Sequence, residues 1–422
     1  MHSGAPKRVL YVHPCAGMGG APLSLLSLIE HLDPRRYTPE VLFLGDAGEE
    51  VDLYRRRGIP FRIRRDIATF PHARGAHLSF RSLRPWEVLT RPAQILPSAR
   101  RMRDELRAHA ADLVHLNTSV LVPAGLGAAR AGVPIVWHVR ESLHPGFTGL
   151  RRALVRTCIE RCARAIIAIS NDAAGSLNRS DKVRVIYNFV NFEQFDRRID
   201  GRRFRDVEGI PPRARVVLML GGLVESKGAD ILLEAADIVR ATEPDVRFVI
   251  AGIPPRDESP SPWKRALRRL VEWAGIVPSV QRRVLRLMRD RRLQEVVRFV
   301  GMRMDVPEML AGADVLVWPA TVSHFARPIM EAGAMARPVI AADFPASREI
   351  VRDGLTGLVF PPGDPMALAE RIVRLLHDGD RAREMGEAGY RLARERYDAA
   401  RAVPAIMDIY DEVLGAGARR SA

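Results

Sequence analysis

The chain has 422 residues, of which 47% are hydrophobic and 27% charged, and its formal net charge is +15. This composition predicts a globular protein with two domains of ordinary size and excludes a disordered chain. The basic residues are 61 arginines and four lysines. We interpret this skew first as compositional bias, with an anionic membrane or a polyanionic glycan as the alternative partner. Nucleic acid is not expected, because no stretch interleaves arginine with stacking aromatic residues.

Three cysteines, Cys15, Cys158 and Cys162, are too few and wrongly spaced for a disulfide framework or a zinc site. The first residues pass almost at once into a strand-like run, without an apolar leader and cleavage site. No stretch supplies the roughly 18 apolar residues of a membrane span. We therefore expect a cytoplasmic protein, peripheral at the inner face of a membrane if it meets one.

Short β-branched runs alternate with segments of helical length, a layout typical of parallel sheets covered by helices on both faces. The first half predicts strands over 9–12, 38–44, 113–116, 135–139, 165–169 and 183–186. A second set is predicted over 216–220, 247–251, 297–300, 315–318, 339–341 and 357–360.

Two sets of strands predict two Rossmann-like, doubly wound α/β domains, the first over 1–192 and the second over 216–396. Residues 193–215 are predicted as the linker, and 397–422 as a helix followed by a frayed tail. Ligands of such sheets bind at the carboxyl ends of the strands, so we expect the domains to face each other across a cleft.

The segment over 262–292 carries ten basic residues against two acidic ones, and Trp263, Leu267, Leu270 and Ala274 share one helical face. An interfacial helix at an anionic membrane would have this pattern, and so would a packed surface helix in an arginine-rich chain.

Two glycine-rich turns follow predicted strands. Gly17, Gly19 and Gly20 come after the first strand and would let the backbone approach a diphosphate at a helix N-terminus, although a tight turn without a ligand has the same composition. The sequence GGLVESKG over 221–228 contains Lys227, one of only four lysines, and a helix-start surface charge is the alternative for it.

A single carboxylate, Glu331, stands at the start of a small-residue helix within WPATVSHFARPIMEAGAMARPVIA, residues 318–341. The first turn of a helix presents free N–H groups and a positive dipole to a phosphate, and a carboxylate beside them can accept two ribose hydroxyls. Glu331 is therefore the leading ribose-binding candidate.

These segments resemble the family 4 retaining glycosyltransferases of the GT-B fold, glycosyl transferases group 1. In that family a Glu-x7-Glu signature followed by small residues and Pro-Val marks the donor site, and Gly-Arg-Leu-x-x-x-Lys-Gly clamps the donor diphosphate. The chain departs from the family at Ser323, in place of the first Glu, and at Gly222, in place of the Arg. Arg327 or Arg303 is expected to replace the missing cation.

The resemblance implies a nucleoside diphosphate sugar as donor and a glycan, lipid-linked or small-molecule acceptor, with no metal and no other cofactor. It implies that the domain over 1–192 binds the acceptor, that the domain over 216–396 binds the donor, and that the helix in 397–422 returns to the first domain. It implies His138, Lys227 and Glu331 as catalytic residues, with a structural histidine whose hydrogen bonds are satisfied as the alternative for His138. Arg140 and Glu141 follow the strand that carries His138, and we expect them to position the acceptor. The donor-binding residues it implies are Gly19, Gly20, Gly221, Gly222, Lys227, Gly301, Arg303, Ser323, His324, Phe325, Ala326, Arg327, Pro328 and Glu331.

Because fold alone does not fix chemistry, two alternatives stay open. One is a nucleotide-sugar epimerase or a sugar phosphorylase on the same fold. The other is a catalytically weak relative that serves as a glycan-binding or scaffold subunit, which the residues at 222 and 323 favour. The sequence does not identify the sugar, the base or the acceptor.

Overall fold

The computed structural model describes residues 5–15, 19–46, 48–70, 85–143, 149–178, 181–254 and 280–418, with only the backbone of 85–92 and 416–418. The chain forms two compact units. The first comprises Met1–Asn191 and Arg396–Ala422, and the second comprises Phe192–Glu395.

The first unit contains a seven-stranded parallel sheet with helices packed against it. The strands are β1 (Lys7–Pro14), β2 (Tyr37–Leu44), β3 (Phe61–Arg64), β4 (Leu113–Leu116), β5 (Ile135–Val139), β6 (Ala165–Ala168) and β7 (Val183–Val185). The helices are α1 (Gly20–Glu30), α2 (Glu49–Arg56), α3 (Pro85–Ala108), α4 (Val122–Ala131), α5 (Leu150–Cys162) and α6 (Asn171–Gly175). The central strands β4, β5 and β6 are buried along their whole length, as expected for strands covered on both faces.

The strand order of this sheet is β3-β2-β1-β4-β5-β6-β7. The chain winds outward from β1 to one edge and then returns to the other side of β1 at β4. The switch point of the sheet therefore lies between β1 and β4, which is where doubly wound sheets bind ligands.

The edge strand β3, whose sequence FRIR alternates arginine with apolar residues, was not predicted. The guanidinium groups of Arg62 and Arg64 both bind the buried carboxylate of Glu105. Arg62 also pairs with Glu40 at 2.7 Å. Partners that are distant in sequence thus stabilise a strand of four half-buried residues, which is too short for its alternation to stand out in the sequence.

The second unit contains a six-stranded parallel sheet in the order β10-β9-β8-β11-β12-β13. Its strands are β8 (Arg215–Leu220), β9 (Val246–Ala251), β10 (Val297–Gly301), β11 (Val315–Trp318), β12 (Val339–Ala342) and β13 (Gly357–Phe360). Its helices are α7 (Arg202–Val207), α8 (Ala229–Val239), α9 (Val280–Asp290), α10 (Val306–Gly312), α11 (Arg327–Ala334), α12 (Pro345–Ile350), α13 (Pro365–His377) and α14 (Gly379–Arg396). The switch point here lies between β8 and β11.

The residues predicted as a linker, 193–215, lie within the second unit. Helix α7 buries Phe204, and Arg205 donates to the carbonyl of Gly312 at 2.8 Å and to Asp314 at 3.0 Å. A Cβ atom on Gly201 would lie 2.1 Å from the backbone nitrogen of Gly312. The residues predicted as a linker therefore include a packed helix and form part of the second unit.

The last helix, α15 (Ala399–Ala418), belongs to the first unit. Its buried face includes Val403, Ile406 and Tyr410 and packs in the core beneath the first sheet. The backbone N–H of Val190 donates to the carbonyl of Tyr397 at 2.7 Å. The two points at which the chain leaves and re-enters the first unit therefore lie side by side.

No helix among the described residues is long and apolar enough to cross a membrane. Of the predicted interfacial segment, residues 262–279 and with them Trp263 lie outside the described residues. The remainder includes helix α9, in which Val280 and Val284 are buried and Arg283 binds Asp230 at 2.5 Å. This part packs within the second unit, and membrane association stays a prediction.

We predict that Gly201→Ala destabilises the second unit by about 1–3 kcal/mol, because the added methyl group would meet the backbone of Gly312 and the two segments would have to separate. Urea unfolding measures this change. The control is Gly175→Ala, at a helical glycine whose Cβ position is open, where alanine should be neutral or stabilising. Equal stability of Gly201→Ala and the unchanged protein would mean that this segment does not pack as described.

Candidate functional site

Polar side chains gather at the carboxyl edge of the first sheet, around its switch point. His13 lies near the end of β1, Asn117 directly follows β4, and Arg140 directly follows β5. The Nε of Arg140 donates to Asn117 Oδ1 at 2.8 Å, and a terminal nitrogen donates to Asn188 Oδ1 at 2.7 Å. Arg140 thus ties together the loops that follow three strands.

These bonds determine which ring nitrogen of His13 carries the proton. Arginine only donates, so the Asn117 amide must present its oxygen to Arg140 and its Nδ2 to His13 Nδ1, 3.0 Å away. Burial and then the charge of Arg140 lower the pKa of His13 to about 3, so the ring is neutral. A neutral ring that accepts at Nδ1 carries its proton on Nε2.

His138, predicted as catalytic, lies in β5 and is buried. Its Nδ1 is 3.2 Å from His115 Nε2, and its Nε2 has no hydrogen-bond partner among the described residues. Burial first, and then the charge of Arg140, hold the pKa of His138 well below its ordinary value. The ring is therefore neutral, with one nitrogen left for a ligand.

Glu141 and Arg140, predicted to position an acceptor, bind groups of the first unit itself. One carboxylate oxygen of Glu141 accepts from the backbone N–H of Ser119 at 3.1 Å and from its hydroxyl. Burial raises the pKa of Glu141. Both side chains therefore hold the strand-end loops in place.

Gly19 and Gly20 lie at the start of α1. Gly19 is the N-cap with an extended backbone, and no side chain caps the helix. A Cβ atom on either glycine would meet no atom of the described residues within 4 Å, so packing against the described part of the chain does not require glycine here. Gly17 lies outside the described residues.

In the second unit the candidate residues surround the turn after β8. Gly221, Gly222 and Gly228 all have positive φ, which favours glycine. Between them a short 3₁₀ turn, Glu225–Lys227, leads into α8. The turn places Lys227 Nζ 2.8 Å from His324 Nε2 and 4.5 Å from the ring centroid of Trp318.

The Lys227 ammonium and the His324 imidazole form a polarised pair. Burial lowers the pKa of Lys227 to about 8. Burial, and then the charge of Lys227, lower the pKa of His324 to about 3. His324 is therefore neutral, donates from Nδ1 to the carbonyl of Val322 at 3.1 Å, and accepts from Lys227 at Nε2. An ammonium has three donors, so Lys227 keeps others for an anion.

The structure explains why residue 222 is glycine where the related family has arginine. Gly222 has φ +64°, and a Cβ atom there would lie 2.1 Å from the backbone nitrogen of Ile253. The turns after β8 and β9 meet backbone to backbone, so no side chain fits at this position.

Arg303 and Arg327, the two residues expected to replace the missing cation, both pair with carboxylates of the second unit. Arg303 binds Glu208 at 2.6 Å and also Asp305, and the Asp305 carboxylate raises the pKa of Arg303. Arg327 donates from Nε to Glu331 at 2.5 Å. Each guanidinium thus already has a carboxylate partner, a fact that sequence spacing does not reveal.

Glu331 lies one turn further along its helix than expected. Helix α11 begins at Arg327, so Glu331 stands in the second turn, where it is buried and paired with Arg327 four residues earlier. A carboxylate has about four lone-pair sites, so the pair leaves Glu331 able to accept further hydrogen bonds.

The remaining residues predicted to bind the sugar donor lie in the segment from β11 to the first turn of α11 and at the end of β10. Ser323 Oγ accepts from the backbone N–H of Ala346 at 3.3 Å, at the start of α12. Phe325 and Ala326 are buried, and Pro328 lies in the first turn of α11. Gly301 ends β10 with φ +73° and an open Cβ position.

Sequence reasoning missed three residues of these two edges. Trp318 ends β11 and packs against both Lys227 and His324, with 5.2 Å between its ring centroid and that of His324. His13 and Asn117 organise the first edge. Their position at or just after the end of a strand beside a switch point is the signal that could have found them. Among the described residues, no three His, Cys, Asp or Glu side chains are grouped closely enough to hold a metal ion.

Comparison with known proteins bears on both halves of the chain. The family model for glycosyl transferases group 1 matches residues 200–392, and the model for glycosyltransferase family 4 matches residues 18–194. Together the two models match most of the chain. The chain belongs to the group 1 glycosyltransferases.

Curated relatives share part of the sequence. An α-D-kanosaminyltransferase of Streptomyces kanamyceticus is 25% identical over 260 residues, which cover 60% of this chain and 61% of the relative. A D-inositol 3-phosphate glycosyltransferase of Streptomyces scabiei is 29% identical over 300 residues, which cover 66% of this chain and 63% of the relative. The matched part of the chain thus spans less than two thirds of the length of these group 1 relatives.

A crystal structure of Anabaena HepE in complex with UDP and glucose has a TM-score of 0.74, with 22% identity over 96% of this chain and 100% of that one. At this identity the likeness concerns the fold. The predicted GT-B class, with two Rossmann-like parallel-sheet domains, is confirmed.

We predict that ionisation of Lys227 makes the stability of the second unit depend on pH. The folded state releases the Lys227 proton near pH 8, whereas the unfolded chain keeps it up to the ordinary value of 10.5. Between these values the unfolded state binds more protons, so stability rises with pH relative to Lys227→Met, by up to about 1.4 kcal/mol per pH unit. Urea unfolding of both proteins across this window measures the slope. If the difference in unfolding free energy between the unchanged protein and Lys227→Met stayed constant across this pH window, a buried Lys227 ammonium would be contradicted.

Proposed function

We propose that this group 1 glycosyltransferase moves a sugar from a nucleoside diphosphate sugar to a hydroxyl of a glycan, lipid-linked or small-molecule acceptor, with retention of configuration and without a metal. The observation that carries the proposal is Lys227, a partly desolvated cation among glycines at the carboxyl edge of the second sheet. Relatives named for sugar transfer and a neighbour of the same fold crystallised with UDP and glucose support it.

The proposed reaction requires positive charge near the bond of the donor that is cleaved. The bond between the anomeric carbon and the diphosphate oxygen breaks, and negative charge grows on that oxygen. Lys227 would offset this charge, as a desolvated cation does more effectively than one in water. The departing phosphate oxygen would accept the proton of the acceptor hydroxyl as its oxygen bonds to the same face of the anomeric carbon. Bonds and protons balance without a protein nucleophile.

Neighbouring groups would orient the donor. Glu331 would accept ribose hydroxyls through the lone pairs that Arg327 leaves available. The pair with Arg327 holds the carboxylate rotamer in advance of binding, which lowers the entropy cost of ordering it. His324, neutral and hydrogen-bonded to Lys227, would keep the ammonium directed at the diphosphate.

A second candidate is a subunit that binds sugar nucleotides and transfers poorly. It is favoured by Ser323, whose hydroxyl oxygen already accepts a backbone N–H, in place of a charged residue for the donor sugar. The two candidates share the nucleotide site and differ in turnover, so product formation separates them.

We predict that binding of UDP near pH 8.5 takes up a proton, because a nearby diphosphate raises the pKa of Lys227 from about 8. Calorimetry in buffers of different ionisation enthalpy measures the uptake. Lys227→Met should abolish it and weaken UDP binding by about 2–5 kcal/mol, with little effect on uridine.

The matched control for that experiment is Lys182→Met, which removes the same charge from the first unit, where Lys182 binds the carbonyls of Glu160 and Ala163. It should bind UDP with unchanged proton uptake. If Lys227→Met weakened UDP and uridine equally, a phosphate role for Lys227 would be wrong. A parallel panel of ADP and GDP tests whether another base is preferred.

For Glu331→Gln we predict that the nucleoside and the nucleotide are affected alike, in contrast to Lys227→Met. Loss of charge-assisted bonds to ribose should weaken uridine and UDP alike, by about 1.5–3 kcal/mol. Glu234→Gln, at an exposed position on α8, is the control and should bind normally. Because Glu331→Gln also leaves Arg327 without its carboxylate, the double variant with Arg327→Gln should regain stability but not affinity. Normal uridine binding by Glu331→Gln would remove Glu331 from the site.

A further inference from the structure

Four buried side chains of the first unit form a continuous hydrogen-bonded series beneath the sheet edge. His138 Nδ1 is 3.2 Å from His115 Nε2, and His115 Nδ1 is 2.7 Å from the hydroxyl of Tyr410. The Tyr410 hydroxyl is 3.2 Å from that of Tyr11. The series joins β5, β4 and β1 to the last helix, α15, which is distant in sequence from all three strands.

The number of protons in this series is fixed. Burial lowers the pKa of both histidines and raises the pKa of both tyrosines, so two neutral rings and two neutral phenols contribute one proton each. Three hydrogen bonds use three of these four protons. One proton is left at one end of the series, on His138 Nε2 or on the Tyr11 hydroxyl.

The two directions leave different numbers of buried groups unsatisfied. If the phenols donate toward the histidines, every phenol proton is bonded and only the N–H at His138 Nε2 lacks a partner among the described residues. If the histidines donate toward the phenols, the last hydroxyl proton and the bare His138 Nε2 both lack one. An unpaired buried group is costly, so the first direction is favoured.

We propose that Tyr410 is a positioning residue that, by donating to His115, holds the proton of His138 on Nε2, ready to donate to an oxygen of a ligand at the carboxyl edge of the first sheet. The identity of the ligand rests on the proposed function, whereas the position of the proton does not. The direction is set by the phenol next to His115, which has a proton to give, so the Tyr11 hydroxyl is not required for it.

Nitrogen NMR of the protein labelled at its histidine rings tests the proposal without a ligand. The His138 signal, assigned from its loss in His138→Gln, should carry the proton on Nε2 in the unchanged protein. Tyr410→Phe should remove the preference, so that a form protonated on Nδ1 appears, while Tyr11→Phe should keep the proton on Nε2.

The control for loss of a buried hydroxyl is Tyr37→Phe. Tyr37 packs edge-on against Tyr410, with 5.5 Å between ring centroids, but its hydroxyl donates to the carbonyl of Met407 and to Asp411, outside the series. It should leave the His138 signal unchanged. Equal melting temperatures of Tyr410→Phe and Tyr37→Phe would show that a change of tautomer in Tyr410→Phe does not come from loss of folding.

The proposal is overturned if His138 carries its proton on Nδ1 in the unchanged protein, or if Tyr410→Phe keeps it wholly on Nε2. Where transfer is measurable, Tyr410→Phe should lower kcat about tenfold relative to Tyr37→Phe. This factor corresponds to the loss of one neutral hydrogen bond from His138 Nε2 to the ligand. If no variant or donor gives transfer, the proposed function fails while the NMR result still decides the role of Tyr410.

Discussion

The candidate donor site depends on the backbone-to-backbone packing of the turns that end the strands of the second sheet. Gly222 lies against Ile253 after β9, and a Cβ atom on Gly228 would lie 1.8 Å from the carbonyl oxygen of Pro319 after β11. Three strand ends are thereby locked together without side chains. Lys227 lies between the two glycines and is directed to Trp318 and His324, so its burial, its lowered pKa and its neutral imidazole partner all follow from this packing.

The first sheet uses a cation in a different way. Arg140 binds two asparagines. Burial first, and then the charge of Arg140, lower the pKa of the neighbouring His13 and His138. The result is an edge with neutral rings whose proton positions are fixed by their partners. Such an edge can donate and accept hydrogen bonds with a hydroxyl-bearing ligand without adding charge, in contrast to the ammonium at the second sheet.

Most of the fold could be predicted because buried parallel strands are usually short apolar runs, and twelve of the thirteen strands in the described residues were predicted. The exception, β3, is stabilised by Glu105, a partner that no local pattern reveals. The same limit applies to the site. The family resemblance singled out Lys227, and its place in a small-residue helix singled out Glu331. Their pairing with His324 and Arg327, and the fit of Gly222 against Ile253, are properties of packing. The helix over 202–207 was missed because charge and proline predict a linker.

The central claim, that Lys227 is a desolvated ammonium poised for a diphosphate, is tested most directly by NMR titration of the lysine side chains. The chain has only four lysines, so ¹³C labelling at Cε gives four signals, and Lys227→Met identifies one. The account predicts that the Lys227 signal titrates near pH 8 in the free protein and shifts to higher pH with UDP. A Lys227 signal that titrates near its ordinary value, or that UDP leaves unmoved, would contradict it.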